Sequence, residues 1–287
     1  MSTLFCKTLQ DDVGEVWYKN EFHGEILGKN AAGSSANRST WMFNDQFRVK
    51  VTESTPMFVS CMQHDVRLDG LNKYPNGIGL ELQKTEDCSL PCLTAPVSSE
   101  VFCLTYNKGR DVSKFLILPP GEYAFVTSTF IPGQEVVYYL VMYTLRKIQV
   151  ERLIYQNSTV KGQWTSQSGG SIYHSSWQSN PMYLLVAPPN LSKYEFKLGI
   201  WQNDTRSPHP VGVYLFRHYQ KGHTPSREQL VQEFPPTANK MVEQRFSLDA
   251  SDGPFLMMPF THNPGQAGSY EITIFTRKGE SFLMQPL

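Results

Sequence analysis

The chain has 287 residues, with 26 lysines and arginines balancing 26 aspartates and glutamates. A net charge of zero offers no bulk attraction for a nucleic-acid backbone, and single cores stop growing near ~250 residues, so no nucleic-acid partner is expected and two domains are. Nowhere does an apolar run approach the ~18 residues needed to cross a membrane as a helix.

The opening "MSTLFCKTLQDDVGE" lacks the apolar core of a signal peptide, which leads us to expect a cytoplasmic protein; association with a cytoskeleton, flagellum or membrane surface is left open. The 5 cysteines, Cys6, Cys61, Cys88, Cys92 and Cys103, are odd in number and confined to the first half, a pattern of reduced thiols rather than a disulfide framework. Next comes "NRSTWMFNDQF", Asn37 to Phe47, which is echoed by "YHSSWQSNPMY", Tyr173 to Tyr183. One offset of 136 aligns Trp41 with Trp177, Gly33 with Gly169, Asn44 with Asn180 and Phe47 with Tyr183. A second block aligns "FIPGQEVVYYLVMYT", Phe130 to Thr144, with "HNPGQAGSYEITIFT", His262 to Thr276, at an offset of 132. A duplicated unit of roughly 130 residues follows, too long for a solenoid repeat.

Within each copy the apolar period is two. "FRVKV", "FVSCM", "IGLEL", "VFCLTY", "KFLIL", "EYAFVTS" and "VVYYLVMYT" are β-branched and aromatic runs separated by turn signals such as "YPNGIG" and "PPGEY". The segment from Leu145 to Gln163 carries the join, and "MYLLVA", "YEFKLGI", "VGVYLFRHY", "QRFSLDA", "PFLMM" and "YEITIFT" follow. One helix is expected, over "TPSREQLVQEF", capped by Thr224 with Pro225 in its first turn and an apolar stripe of Leu230, Val231 and Phe234. The reading is an all-β chain of two tandem antiparallel β-sandwiches, residues 1–152 and 153–287, with seven or eight strands each.

Reactive chemistry is sparse. No G-x-S-x-G elbow, phosphate-cradling loop or zinc-spaced cluster occurs, and Cys88 and Cys92 in "EDCSLPC" have an acidic flank that disfavours a thiolate. His218 and His223 have no third ligand at a zinc-like spacing. Calcium needs several converging carboxylates; Asp249 and Asp252 in "SLDASDG" are the best pair, ahead of "QDD" at 10–12 and "KTED" at 84–87. No cofactor, catalytic residue or small-molecule substrate is expected. What remains is a basic rim, Arg217 and Lys221 from "FRHYQKGH" with Arg277 and Lys278 from "TRKGE", fit for an acidic protein partner or acidic lipid. Trp41, Asn44, Phe47, Trp177, Asn180 and Tyr183 read as structural: buried aromatics, and asparagines bonding local backbone.

Ala32, Gly33, Asn37, Thr40, Trp41, Asn44, Gln46 and Phe47, followed by Pro120, Gly121, Tyr123, Ser128, Thr129 and Phe130, resemble the calpain-type β-sandwich, the C2-like third domain of calpains. The second copy keeps Gly169, Gly170, Ser176, Trp177, Asn180, Pro181 and Tyr183 of that pattern. Asp45 departs from it, standing where the family's N-P-Q-F element has proline. The tandem resembles the C-terminal half of PalB-like calpains without the protease core. That resemblance implies a non-catalytic protein-interaction or scaffolding module; the alternatives it leaves are a peripheral phospholipid binder and the regulatory part of a calpain-type cysteine protease.

Overall fold

The computed structural model describes residues 7–10, 14, 16–37, 39–86, 89–93, 101–187, 189, 191–203 and 207–287, with 7–10 and 101–105 as backbone. Cys6, Asp11, Asp12, Asp87 and Cys88 lie outside them, as does the side chain of Cys103. The chain divides into two compact units, Met1–Leu153 and Ile154–Leu287.

Unit 1 holds β1 (Lys7–Gln10), β2 (Val16–Ile26), β3 (Asp45–Val51), β4 (Thr55–Gln63), β5 (Ile78–Thr85), β6 (Val101–Asn107), β7 (Asp111–Leu118), β8 (Gly121–Thr129), β9 (Val136–Thr144) and β10 (Gln149–Arg152). They form two antiparallel sheets, ordered β1-β2-β9-β4-β7 and β10-β3-β8-β5-β6. Unit 2 holds β11 (Tyr155–Trp164), β12 (Tyr183–Val186), β13 (Lys193–Gln202), β14 (Val211–Phe216), β15 (Leu230–Thr237), β16 (Met241–Asp249), β17 (Phe255–Thr261), β18 (Gly268–Arg277) and β19 (Leu283–Pro286). Its sheets run β11-β18-β13-β16 and β19-β12-β17-β14-β15. Strand for strand this is unit 1 without β1, so the duplication seen in two sequence blocks extends through the whole topology.

Alternation builds each core. Met57, Val59 and Cys61 of β4 face Val112, Leu116 and Leu118 of β7, and meet Phe47, Val49 and Phe125 of the other sheet. Unit 2 packs Phe196, Leu198 and Ile200 of β13 against Val213, Leu215 and Phe255 in the same way. In β8 and β17 nearly every residue is buried on both faces. The reason is a second, smaller core on the outer side: Trp41 and Cys92 cover Ala124 and Val126, and Ile172 and Trp177 cover Leu256, Met258 and Phe260. A strand covered on both sides reads as a continuous apolar run.

The structure replaces the expected helix with a strand. Ser226, not Thr224, opens a single 3-10 turn, Arg227–Gln229, closed by a capping box with Gln229. Leu230 to Thr237 then pairs with β14, where Phe234 enters the core. Pro235 and Pro236 bar a helix from continuing, and the unpaired edge of β14 offers a full ladder instead. Strands β2 and β11 escaped the sequence reading because their inward faces are weakly apolar. Gly24 and Gly162 stand there because the rings of Tyr138 and Tyr270 lie over them, and an added Cβ would come within 2.3 and 2.4 Å of those rings.

Candidate functional site

The repeated corner turns out to be a roof over the second sheet. Trp41–Phe43 and Trp177–Ser179 are 3-10 turns. Asn44 Nδ2 donates to the carbonyls of Gly33 (2.8 Å) and Trp41 (2.9 Å), and Asn180 Nδ2 to those of Gly170 (2.6 Å) and Trp177 (2.8 Å). The local-backbone role expected of both amides is what the geometry gives them, although Asn180 Oδ1 is buried with no hydrogen-bond partner among the described residues. Gly33 and Gly170 share a left-handed backbone, φ 80° and 77°, with Pro132 and Pro264 packed where a Cβ would stand. Gly33 therefore matches Gly170, one residue beyond the Gly169 given by the sequence offset, because the second loop is one residue shorter. Trp41 and Trp177 are buried, as expected, but in the roof; Phe47 and Tyr183 occupy the core between the sheets.

The two roofs differ in chemistry. Under the first, the buried carboxylate of Glu81 accepts hydrogen bonds from the Trp41 indole and from the Ser35 backbone (3.1 Å). Under the second, Tyr214 takes the equivalent place, accepts from the Ile172 backbone (3.0 Å) and stacks on Phe260 with centroids 4.0 Å apart. Burial pushes its phenol up to about 12.

Asp45, the departure from the calpain pattern, is accommodated by two partners. Arg152 Nη2 lies 2.6 Å and Tyr138 Oη 2.5 Å from its Oδ2. The corresponding positions of unit 2 are Pro181 and, by strand pairing, Pro286. An ion pair in one unit is two prolines in the other.

Half of the expected anion rim has acidic neighbours. Arg217 lies 3.9 Å from Asp252, and Arg277 lies 3.5 Å from Glu195, so two of its four cations are paired while Lys221 and Lys278 stand exposed. Asp252, one of the two carboxylates singled out for calcium, lies 3.9 Å from both Arg217 and His218. Among the described residues no three histidine, cysteine, aspartate or glutamate side chains converge as metal ligands, and no helix is long and apolar enough to cross a membrane. Cys61 and Cys92 are buried; desolvation pushes the Cys61 thiol well above its ordinary range, and the backbone of Cys92 is pinned both ways by Gln46 at 2.8 Å.

A different cluster, unseen in the sequence, lies at the end of unit 1 where β4, β6, β8 and β2 terminate. Four loops meet there and are cross-braced. Gln63 Nε2 donates to the carbonyls of Asn76 (3.1 Å) and Gly109 (2.6 Å), Asn76 Nδ2 to Glu135 (2.9 Å), and the Gly133 amide to Ala31 (2.7 Å). From this rigid end project Leu68, 79% exposed, Phe130, 54%, and Ile131, 53%, with Leu27 and Leu71 also exposed. Around them stand Lys29, Lys73 and Lys108, while Asp65 pairs with Arg67 at 2.6 Å and Arg110 at 3.8 Å, Asp69 lies against His64, and Glu135 accepts from the Gly28 amide. Unit 2 keeps the same scaffold, with Gln202 bonding the carbonyls of His209 and Asn239 at 2.8 and 2.9 Å. Its P-G-Q turn is also the same: Gln134 and Gln266 accept from the backbones of Ile131 and Asn263 at 3.3 and 3.2 Å, and Gly133 and Gly265 have φ 81° and 73°. Yet Phe130 and Ile131 are His262 and Asn263 there.

Residues 15–143 match the family described as calpain large subunit, domain III. The first unit is thus similar to calpain domain III over most of its length. Calpain-10 of Macaca fascicularis is 22% identical over 88% of this chain and 46% of its own length. Calpain clp-1 of Caenorhabditis elegans is 28% identical over 53% of this chain and 21% of its own. A protein of Dictyostelium discoideum named serine/threonine-protein kinase 4 homolog B is 26% identical over 88% of this chain and 24% of its own length. The chain is thus calpain-related and spans less than half the length of the calpain-10 protein it matches. Domain III bears out the all-β sandwich reading.

Proposed function

We propose that this chain is a non-catalytic, calpain-type interaction module that docks a protein partner through the loop end of unit 1. The carrying observation is the P-G-Q turn built twice: its backbone and its glutamine cap do not require Phe130 and Ile131, since unit 2 makes the same turn with His262 and Asn263. Large apolar groups left more than half exposed on a braced scaffold, the Phe130 ring resting on Tyr106 at 5.3 Å, are the kind of preorganised anchors that fill a partner's pockets. That related stretches occur in proteins named as calpains and in one named as a protein kinase supports an auxiliary role, separate from either named activity. The burial of Cys61 and Cys92 favours the same reading.

A second reading is favoured by Lys29, Lys73 and Lys108 around the tips: docking to an anionic bilayer, at about 1 kcal/mol per cation near the surface. The variant F130H/I131N writes the residues of unit 2 into unit 1 and separates surface from fold. Cross-linking of the full chain in a native extract, beside co-sedimentation with phosphatidylserine vesicles, is the test. The module reading expects one defined protein adduct, lost in the variant; vesicle binding lost in the variant would transfer the site to lipid, and contacts unchanged by the variant would overturn it.

A further inference from the structure

On the outer face of the first sheet of unit 1, residues directly opposite one another form rows. Lys19, Tyr143, Phe58 and Phe115 make the first, Glu21, Val141, Ser60 and Ser113 the second, and His23, Tyr139, Met62 and Asp111 the third. Phe58 is 38% and Phe115 55% exposed, Tyr143 is partly exposed, and Ile117 beside Phe115 and Trp17 beside Lys19 extend the apolar band. In unit 2 the row equivalent to the first is Asn157, Phe275, Lys197 and Arg245. That face is held in ion pairs, Arg245 with Glu195 at 3.1 Å and Lys161 with Glu271 at 3.5 Å. The aromatic band is therefore not something this sheet needs in order to fold.

We propose that this face binds a second copy of the chain, face to face about a two-fold axis parallel to the strands, passing between β9 and β4. Such an axis lays β2 of each copy over β7 of the other, and β9 over β4. The pattern is complementary to itself under that operation: Trp17 meets Ile117, Lys19 meets the ring of Phe115, Tyr143 meets Phe58, Tyr139 meets Met62, and His23 meets Asp111. The β2 column of Lys19, Glu21 and His23 thus opposes Phe115, Ser113 and Asp111 on β7, and no like charges coincide; Glu21 lies 2.6 Å from Lys19 and 3.4 Å from His23 within its own strand. Four strands about 4.8 Å apart, eight to eleven residues long, give a patch of roughly 600 Å² per copy, at the low end for a specific interface, so the dimer is reversible and forms with rising concentration.

Sedimentation velocity of the full chain across a concentration series tests this. A monomer–dimer equilibrium is expected. The variant F58K/F115R, which carries the residues unit 2 uses at these positions, should remain monomeric with an unchanged melting profile. D111H sets histidine against His23 and should weaken the dimer at least tenfold, and the double variant H23D/D111H, which exchanges the two partners, should restore it. A wild-type chain that stays monomeric at several hundred micromolar overturns the proposal, as does an F58K/F115R chain that dimerises like wild type, or an H23D/D111H chain no tighter than D111H. Because F130H/I131N lies at the loop end, its effect on partner capture stands or falls independently of these results.

Discussion

The two units are one scaffold with two surfaces. Both keep the strand order, the left-handed glycine under a proline, the asparagine that bonds two carbonyls, the loop-bracing glutamine and the ring laid over a glycine. What differs includes Glu81 against Tyr214, Asp45 and Arg152 against Pro181 and Pro286, Phe130 and Ile131 against His262 and Asn263, and the outer-face pair Phe58 and Phe115 against Lys197 and Arg245. Duplication thus supplies an internal control. A residue found at both places serves the fold, while one that changes class without disturbing the backbone is free to serve something else.

Four substitutions probe that division, beginning with the largest expected effect. R152A removes the ion-pair partner of the Asp45 carboxylate, which is one-tenth exposed and keeps the Tyr138 hydroxyl, and should destabilise unit 1 by about 3 kcal/mol in urea unfolding. D45A/R152A should recover most of that loss, since unit 2 folds without the pair. W41F removes the indole donor from buried Glu81 and should cost about 2 kcal/mol. W177F, which loses ring area stacked on Phe216, should cost about 1 kcal/mol. Equal costs for the two would erase the distinction drawn between the roofs.

A smaller effect is expected of Y214F, about 1 kcal/mol at neutral pH from the Ile172 amide losing its acceptor. Its sharper signature is alkaline. The buried phenol titrates at about 12, above the ordinary tyrosine value near ~10, so the folded state favours the neutral form. That contribution is whole below pH ~10 and falls away as the pH rises toward 12; Y214F should flatten this part of the alkaline decline in unfolding free energy. The smallest change is F130H/I131N, expected to shift stability by less than about 0.5 kcal/mol while abolishing partner capture.

Strands with clean alternation, such as "KFLIL", and strands read as near-continuous runs, such as "EYAFVTS", were legible in the sequence, as was the duplication from which the tandem architecture follows. Strands β2 and β11 were not, because a glycine opposite a tyrosine ring leaves no apolar period to read. Leu230, Val231 and Phe234 suggested a helix through their spacing, but the ladder offered by β14 and the prolines that follow decided for strand. The basic rim at Arg217 and Arg277 carries less free charge than its composition suggests, because composition cannot show that Asp252 and Glu195 lie beside those two cations. The loop end of unit 1 escaped because Leu27, Leu68 and Phe130 are far apart in sequence, and only the bracing by Gln63 and Asn76 joins them. One signal was available: aligned at the P-G-Q turn, Phe-Ile faces His-Asn, an apolar pair against a polar pair at the same two positions.

The central claim is that contact is made by unit 1 where its copy makes none. A photo-reactive amino acid placed at Ile131 in one full-length protein, and at the equivalent Asn263 in another, tests it directly when both are irradiated in the same native extract. The account predicts a discrete protein adduct from position 131 and none from position 263. Equal adducts from both positions, or an adduct from 263 alone, would contradict it.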